Sequence, residues 1–332
     1  MLKLSYIMGV YNGAKTIMVP LNSIYKQKME ESEFEVIIVD DCSTDDTVRV
    51  VQDFGKSHSN LKLICQKENH RLGAVRNVGV VNAQGKYLQF IDADDEIGQD
   101  ILPAIENALK LDADAQKNGC SVQNPDGSWS YIGIREREYT NFCEEAFFTD
   151  PEYGGTPFYL WKNEFIKQHD RHFVEDLKME DTDWVEYYLA NAKKVTCFNV
   201  ETYRYVYSPN SITNSVNITS LTDMVLQSYR RLKVADAYST KLPIFTEKIK
   251  EACIYCVNSL LRYRNLTKFS NNDYHVLYSR IGDDVRYDLA QYPLSCFADM
   301  VLRHKYTTLM LLWGTAWVSR LGRMIVHKLR KE

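Results

Sequence analysis

The 332-residue sequence lacks the features that mark several broad classes of protein. Its eight cysteines are scattered, which argues against a disulfide-stabilised secreted scaffold. The net charge is only −4, which excludes a protein that binds nucleic acid through its overall charge. The apolar run at residues 306–318 has 13 residues, whereas a spanning helix needs about 20. What remains is an ordinary soluble composition, 45% hydrophobic and 25% charged.

Signs of export, internal repetition and a cysteine metal site are also missing. Met1 leads directly into a strand-like segment rather than a signal peptide, so a cytoplasmic location is expected. No repeat or low-complexity tract is evident. Cys253 and Cys256 form a close pair without a second one, and their helical spacing favours two core thiols.

Strand and helix patterns alternate over the first 110 or so residues. Apolar runs predict buried strands, and the segments between them predict helices, one of which would begin at an N-cap Ser43 or Thr44. This alternation is typical of parallel β-α-β units. After residues 208–213 the pattern changes to long helical segments. We predict an α/β domain over residues 1–215, a helical extension over 216–300 and a tail over 301–332.

The predicted tail is basic and contains two tryptophans. From Arg303 onward it has seven basic residues and one acidic residue, Glu332. A basic amphipathic helix of this kind fits an anchor on an anionic membrane surface. A terminal helix docked on the protein's own core would have the same pattern, so both interpretations stay open.

Acidic clusters follow two of the predicted strands. Asp40 and Asp41 follow "VIIV", and Asp92, Asp94 and Asp95 follow "LQFI". Ligands bind outside the carboxyl ends of the strands in an open parallel sheet, so both clusters should face one crevice. Carboxylates there suit Mg²⁺ or Mn²⁺, which take one or two protein oxygens and leave positions for phosphate.

The segment 69–79, between the two clusters, adds a glycine and an arginine. Gly73 permits a close backbone approach, and Arg76 can bind a phosphate through two hydrogen bonds. Acids, a divalent cation, an arginine and a glycine together predict a nucleoside diphosphate site.

Five segments resemble the family 2 glycosyltransferases in order and spacing: "YIMGVYNGAKTI", "EVIIVDDCSTDDT", "NHRLGAVRNVG", "KYLQFIDADDEI" and "MEDTDW". The resemblance covers roughly residues 1–215. It implies the GT-A fold, a Rossmann-like mixed and mainly parallel sheet flanked by helices, here with an α-helical C-terminal extension. It also implies an inverting hexosyl- or N-acetylhexosaminyltransferase of cell-surface polysaccharide synthesis that uses a UDP-sugar with Mn²⁺ or Mg²⁺.

The resemblance also implies roles for residues that would bind the nucleotide. Val10 and Tyr11 would line the uridine pocket, with the Tyr11 ring on the base. Asp40 and Asp41 would contact the base and the ribose. Arg76 would approach the diphosphate.

Asp92, Ala93 and Asp94 match the family's Asp-x-Asp motif. Asp92 would lie near the ribose or the donor sugar, and Asp94 would hold the metal on the diphosphate, with Asp92 as a second ligand. Asp95 would support the motif.

For the "MEDTDW" segment the resemblance implies a catalytic pair, with Asp181 as the general base and Glu180 beside it. An inverting transfer is a single displacement, so one carboxylate must take the proton of the acceptor hydroxyl. Asp183 and Asp176 stay open as alternative bases. Trp161 and Trp184 are either sugar platforms or core residues.

The expected partners are a UDP-sugar and a glycan or lipid-linked oligosaccharide at the cytoplasmic face of a membrane. Nucleic acid is not expected as a partner, and self-association stays open.

A P-loop NTPase is a competing function, because "GVYNGAKT" departs from the P-loop pattern only at Ala14. The Cβ of Ala14 would obstruct the anion nest of such a loop. An Asp-x-Asp phosphohydrolase with Asp92 as nucleophile is a second competing function. An inactive GT-A-like assembly subunit is a third.

Overall fold

The computed structural model describes residues 2–140, 155–208, 217–261 and 271–294, together with residues 298 and 302. The chain divides into two compact units. One comprises residues 1–209 and 240–245, and the other comprises residues 210–239 and 246–332. The predicted boundaries at residues 215 and 300, like the basic tail from Arg303 onward, lie outside the described residues. The three-part division therefore stays a prediction.

One mixed sheet forms the centre of the first unit. Its strands are β1 (Leu4–Val10), β2 (Phe34–Asp40), β3 (Leu61–Cys65), β4 (Tyr87–Asp92), β5 (Glu96–Ile97), β6 (Ala115–Gln123), β7 (Trp129–Ile132), β8 (Arg137–Thr140), β9 (Tyr159–Lys162) and β10 (Lys194–Tyr205). The order is β3-β2-β1-β4-β9-β6-β10-β5, with β7 on β6 and β8 on β10.

The first four strands in that order are parallel, and so are β6 and β10. The pairings that involve β5, β7, β8 and β9 are antiparallel. The predicted sheet, mixed and mainly parallel, is confirmed. The apolar runs become central strands because both sheet faces are covered, and all seven residues of β1 are buried.

Helices connect the strands of this unit. They are α1 (Met18–Tyr25), α2 (Thr47–Gly55), α3 (Arg71–Asn82), α4 (Leu102–Leu111), α5 (Asn163–His169) and α6 (Thr182–Asn191), with a 3₁₀ turn at Thr156–Phe158 before β9.

The predicted N-cap of α2 is wrong by two or three residues. The helix begins at Thr47, with Asp46 at the N-cap position. The Ser43 hydroxyl instead accepts a hydrogen bond from the backbone N–H of Asn12, at 2.8 Å. This polar side chain links two loops at the end of the sheet, which is a use that the local sequence does not reveal.

Trp161 and Trp184 are core residues, which settles the choice between core and sugar platform. Trp161 is fully buried, and only 1% of Trp184 is exposed. Their ring centroids lie 5.1 Å apart in an edge-to-face arrangement, and Phe173 stacks on Trp184 at 4.4 Å. Neither ring offers a face to a sugar.

The second unit is helical in the part that the structure describes. The helices that follow β10 are α7 (Ile218–Tyr238), α8 (Pro243–Leu260), α9 (Asn271–Ile281) and α10 (Asp283–Leu289). The Asn217 side chain caps α7 by accepting a hydrogen bond from the Ser220 backbone N–H. Cys253 and Cys256 lie on α8, the first buried and the second half-buried. In the part of the chain that the structure describes, every helix is too short or too polar to span a bilayer.

Candidate active site

Three parallel strands end beside one another, and the site begins there. Val10 of β1 pairs with Asp40 of β2, and Gly9 of β1 pairs with Asp92 of β4. Both acidic clusters therefore lie at the same edge of the sheet, as the sequence predicts. Tyr11 follows β1 directly, and 52% of its surface is exposed.

Asp40 is buried and only half satisfied. Its Oδ2 accepts a hydrogen bond from the Ser43 backbone N–H at 2.9 Å. Its Oδ1 is buried without a hydrogen-bond partner among the described residues. Because an unpaired buried acceptor is costly, this oxygen fits a donor group supplied by a ligand.

Asp41 has a different arrangement. Its Oδ1 accepts from the His70 backbone N–H at 2.8 Å, and its Oδ2 accepts from the Arg71 backbone N–H at 2.7 Å. Asp41 thus holds the start of α3, where Arg71 adopts a left-handed backbone conformation (φ +66°). Its predicted contact with the nucleotide stays a prediction.

Arg76 gathers three carboxylates into a group that we term the arginine cluster: Arg76, Asp92, Glu180 and Asp181. The Arg76 side chain is only 5% exposed. Its Nη2 donates to Asp92 Oδ1 at 3.0 Å, and its Nη1 donates to Glu180 Oε1. The same Nη1 lies 3.8 Å from Asp181 Oδ2. Residues more than 100 positions apart are thereby joined around one guanidinium.

One cation faces three acids in this cluster, and the pKa values reflect that imbalance. Burial alone would lower the pKa of Arg76, but Glu180, Asp92 and Asp181 together raise it well above its ordinary value. Burial raises the pKa of Glu180 to about 7, because desolvation outweighs the attraction of Arg76. Both Nη atoms of Arg76 contact carboxylates, so its predicted contact with a diphosphate stays a prediction.

Asp94 and Asp95 point to different surroundings. Asp94 is exposed as a residue, but the protein around its carboxyl group partly desolvates that group. This desolvation and the Asp92 charge raise the pKa of Asp94. Asp95 is buried, where it accepts from the Tyr203 hydroxyl at 2.5 Å and from the Val206 backbone N–H at 2.8 Å. Burial, followed by the Asp92 charge, raises the pKa of Asp95 to about 8. Asp95 therefore fastens the Asp-x-Asp loop.

The fit of this loop to a metal rests on Asp94. Within the described ranges there is no group of three or more His, Cys, Asp or Glu that could hold a metal by itself. Asp92 Oδ1 is bound to Arg76, whereas Asp94 is an exposed residue beside a second negative charge. Ala93 lies between the two and packs partly on the core. One or two carboxylates suit Mg²⁺ or Mn²⁺ when phosphate supplies further ligands, so the residues fit a metal shared with a diphosphate.

The three candidate bases are not equivalent in the structure. Asp181 is the one within 4 Å of Arg76. Asp183 is buried and forms an ion pair with Arg171 at 2.5 Å, outside the arginine cluster. Asp176 is exposed, and its carbonyl accepts from the Arg71 side chain at 2.8 Å. Geometry favours Asp181.

The packing of the protein's own backbone requires a glycine at position 73. A Cβ at this position would lie 2.0 Å from the Val174 carbonyl oxygen. The close approach that the sequence predicts therefore brings the segment before Glu180 against α3, and it involves the protein's own backbone.

The loop from Gly9 to Thr16 does not form a phosphate-binding nest. The Ala14 backbone N–H donates to Asp45 Oδ2 at 3.1 Å, and the Asn12 backbone N–H donates to Ser43. Helix α1 begins only at Met18. These amides already bind side-chain oxygens, which argues against a P-loop NTPase.

Sequence reasoning missed two parts of the site. The Tyr203 hydroxyl accepts from the Asp92 backbone N–H at 3.3 Å and donates to Asp95, so it braces the motif from β10. Inward alternation along the predicted strand could have indicated its burial. Gly155 and Thr156 contact Asp181, and no signal near them in the sequence indicates this.

Comparison with known proteins supports the resemblance. Residues 5–167 match the family model described as glycosyl transferase family 2. The poly(ribitol-phosphate) β-N-acetylglucosaminyltransferase TarS of Staphylococcus aureus is 28% identical over 209 residues, 62% of this chain and 35% of TarS. A poly(ribitol-phosphate) β-glucosyltransferase of Bacillus spizizenii is 35% identical over 102 residues, 30% of this chain and 16% of that protein. The matches thus span about a third or less of these relatives.

Solved structures share the fold. TarS residues 1–349 in complex with UDP-GlcNAc match with a TM-score of 0.61 and 21% identity, covering 91% of this chain and 89% of that one. The mannosyltransferase PcManGT of Pyrobaculum calidifontis in complex with GDP-Man and Mn²⁺ matches with a TM-score of 0.52 and 18% identity, covering 96% and 87%. The GT-A fold is confirmed. Residues 5–167 of this chain therefore form a glycosyl transferase family 2 domain.

Proposed function

We propose that this protein is an inverting glycosyltransferase that moves a hexosyl or N-acetylhexosaminyl group from a UDP-sugar to an acceptor hydroxyl. The observation that carries the proposal is the arginine cluster at the carboxyl end of β4. It brings the Asp-x-Asp motif and the Glu180-Asp181 pair to one guanidinium. Such a site can bind a charged donor and accept a proton beside it.

Residues at the ends of β1 and β2 would bind the uridine of the donor. The exposed Tyr11 ring offers a stacking face for the uracil, next to the buried Val10 at the end of β1. The unpaired Asp40 Oδ1 offers an acceptor for the uracil N–H. The UDP-GlcNAc in the complex of the similar TarS supports a uridine nucleotide as donor.

The departing diphosphate needs positive charge. Asp94, with Asp92 beside it, would hold Mn²⁺ or Mg²⁺, and the bound cation would stabilise the charge that develops on the diphosphate. Arg76 keeps Asp92 and Glu180 in place through its two nitrogens. The Mn²⁺ in the PcManGT complex supports a divalent cation.

Asp181 acts as the general base. As the acceptor oxygen bonds to the anomeric carbon, the bond from that carbon to the diphosphate breaks. The hydroxyl proton passes to the Asp181 carboxylate. One displacement of this kind inverts the anomeric configuration, and no covalent intermediate on the protein is required.

The decisive test is Asp181→Asn. Sugar transfer should fall by about 10²–10⁴, because Asn cannot take a proton, while UDP affinity stays unchanged. Asp170→Asn, on the exposed turn after α5, is the matched control and should keep full activity. Retained transfer in Asp181→Asn, or loss of UDP binding with it, would remove Asp181 from the role of base.

The metal is tested separately with Asp94→Asn. Calorimetric titration with UDP should show that Mn²⁺ strengthens binding to the natural protein and has much less effect on the variant. Asp126→Asn, on the exposed turn between β6 and β7, should respond to Mn²⁺ like the natural protein. An unchanged Mn²⁺ effect in Asp94→Asn would contradict the ligand role.

For the acceptor, we propose a cell-surface glycopolymer or lipid-linked glycan, reached at the cytoplasmic face of a membrane. The poly(ribitol-phosphate) acceptors in the names of two relatives support a polymer, and the basic tail supports the membrane face. A screen of nucleotide sugars, scored by nucleotide release with and without Mn²⁺, identifies the donor. Removal of residues 303–332 should abolish binding to anionic vesicles, while the shortened protein stays folded.

The donor screen also tests the competing function. If the protein binds UDP but transfers no sugar, it would be an inactive assembly subunit.

A further inference from the structure

Asp181 occupies the N-cap position of α6 but does not cap the helix. An Asp at this position ordinarily accepts a hydrogen bond from the second or third backbone N–H of its own helix. The Asp181 side chain makes no such bond. Its Oδ2 accepts instead from the Thr156 backbone N–H at 3.1 Å and from the Thr156 hydroxyl at 3.4 Å. The carboxylate is thus turned away from its helix toward a segment 25 residues earlier.

Gly155 makes room for this orientation. A Cβ at position 155 would lie 2.4 Å from Asp181 Oδ2. The backbone there is extended (φ −77°, ψ 179°), a conformation that any residue can adopt. A larger residue at position 155 would therefore displace the Asp181 carboxylate, although the backbone conformation itself does not require glycine.

Thr156 and the next residue, Pro157, are themselves held by buried groups. The Thr156 carbonyl accepts from Trp161 Nε1 at 3.2 Å, and the next carbonyl, of Pro157, accepts from Gln89 Nε2 at 2.6 Å. Gln89 lies on β4, three residues before Asp92. The support of Asp181 and the Asp-x-Asp motif are therefore fixed to the same strand.

We infer that Gly155 and Thr156 form a carboxylate seat, which positions Asp181 for proton transfer. The inference rests on the proposed role of Asp181 as base. The seat and Arg76 occupy Oδ2, whereas no hydrogen bond from the described residues reaches Oδ1. The hydroxyl proton passes to Oδ1 as the new bond to the anomeric carbon forms and the bond from that carbon to the diphosphate breaks. The seat holds the other oxygen meanwhile and prevents the side chain from turning to cap α6.

Gly155→Ala tests the seat directly. The added methyl group must displace Asp181 Oδ2, so kcat should fall at least tenfold while donor KM and UDP affinity stay within about twofold. The matched control is Gly55→Ala at the end of α2. Its Cβ would lie 3.5 Å from Leu61, an ordinary contact, and its activity should not change. A wild-type kcat in Gly155→Ala would overturn the inference.

A double variant separates positioning from a merely structural role. If Gly155 acts through Asp181, Gly155→Ala combined with Asp181→Asn should retain the same residual rate as Asp181→Asn alone. A further drop in the double variant would overturn the inference. If Asp181→Asn itself keeps full activity, the proposed function fails. If Asp181→Asn is inactive while Gly155→Ala is fully active, only the seat fails.

Thr156 provides a second test that does not depend on the folding of Gly155→Ala. Thr156→Val keeps the shape of this fully buried side chain but lacks the hydroxyl. Its kcat should fall a few-fold, and Thr156→Ser, which keeps the hydroxyl, should restore most of the loss. Equal kcat values for the Val variant, the Ser variant and the natural protein would overturn the part assigned to Thr156.

Discussion

Two acidic clusters follow parallel strands that lie on either side of β1, and the protein stabilises them by different means. After β2, Asp41 is satisfied by neutral backbone N–H groups at the start of α3. After β4, Asp92 is satisfied by the buried guanidinium of Arg76, which also holds Glu180. The same pattern of an apolar run followed by acids thus has two physical outcomes.

The two clusters differ in how far they depend on charge. Backbone N–H groups donate to both oxygens of Asp41, so this carboxylate is satisfied without any counter-charge. Around Arg76 the acids outnumber the cation, and exposed Asp94 adds to the surplus. Substitutions that remove charge but keep shape can separate the two cases.

The largest effect is expected from Arg76→Met. Removal of the guanidinium leaves Glu180 and Asp92 without their counter-charge, and breaking a buried ion pair costs about 3–5 kcal/mol of the free energy of unfolding. Urea denaturation measures this loss. The control Arg49→Met breaks an ion pair with Asp46 whose side chains are both about two-thirds exposed, and it should cost less than about 1 kcal/mol. Equal losses in the two variants would mean that Arg76 does not hold the cluster together.

A second test uses pH and Glu180→Gln. Folding raises the pKa of Glu180 from its usual 4.5 to about 7, so between these pH values the folded protein binds the proton more tightly than the unfolded chain. The free energy of unfolding therefore falls as pH rises through this window, by an amount on the order of 3 kcal/mol from this group. Gln cannot ionise, so the variant should lose that part of the decline. Denaturation curves measured from pH 4.5 to 8 with the same slope for both proteins would contradict the assignment.

The smallest effect is expected in the first cluster, from Asp41→Asn. The amide group can accept from one of the two backbone N–H groups but turns a donor toward the other. One partly buried N–H is left unpaired, which costs about 1–3 kcal/mol. Asp126→Asn, on an exposed turn, is the control and should be nearly neutral. If Asp41→Asn cost as much as Arg76→Met, the two clusters would not differ in the way described.

The sequence predicted the parts of the fold that depend on neighbouring residues. Strands β1, β2 and β4 and the acids after them follow from short apolar runs, and so does the common edge of the sheet. Strand β9 could not be predicted to insert antiparallel between β4 and β6, because that pairing joins segments about 70 residues apart. Trp161 and Trp184 could not be assigned from sequence for a related reason, since a core tryptophan and a sugar platform are the same residue type in different surroundings.

The candidate site shows the same limit. The acids and Arg76 were identified as candidates, but the contacts of Arg76 with Glu180 and Asp181 depend on the tertiary fold. Tyr203, Gly155 and Thr156 support the acids from distant segments and carry no motif of their own.

The separation between Arg76 and Glu180 has a consequence for how the chain is made. These residues are 104 positions apart, so at 5–20 residues per second Glu180 leaves the ribosome about 5–20 s after Arg76. During that interval Asp92 is the only member of the cluster's acids that is available to the arginine. The β-α-β segment at the N-terminus resembles a self-sufficient unit, yet Arg76 gains its contacts with Glu180 and Asp181 only after residue 181 has been synthesised. We therefore expect that chaperones can bind the nascent N-terminal segment until Glu180 and Asp181 have left the ribosome.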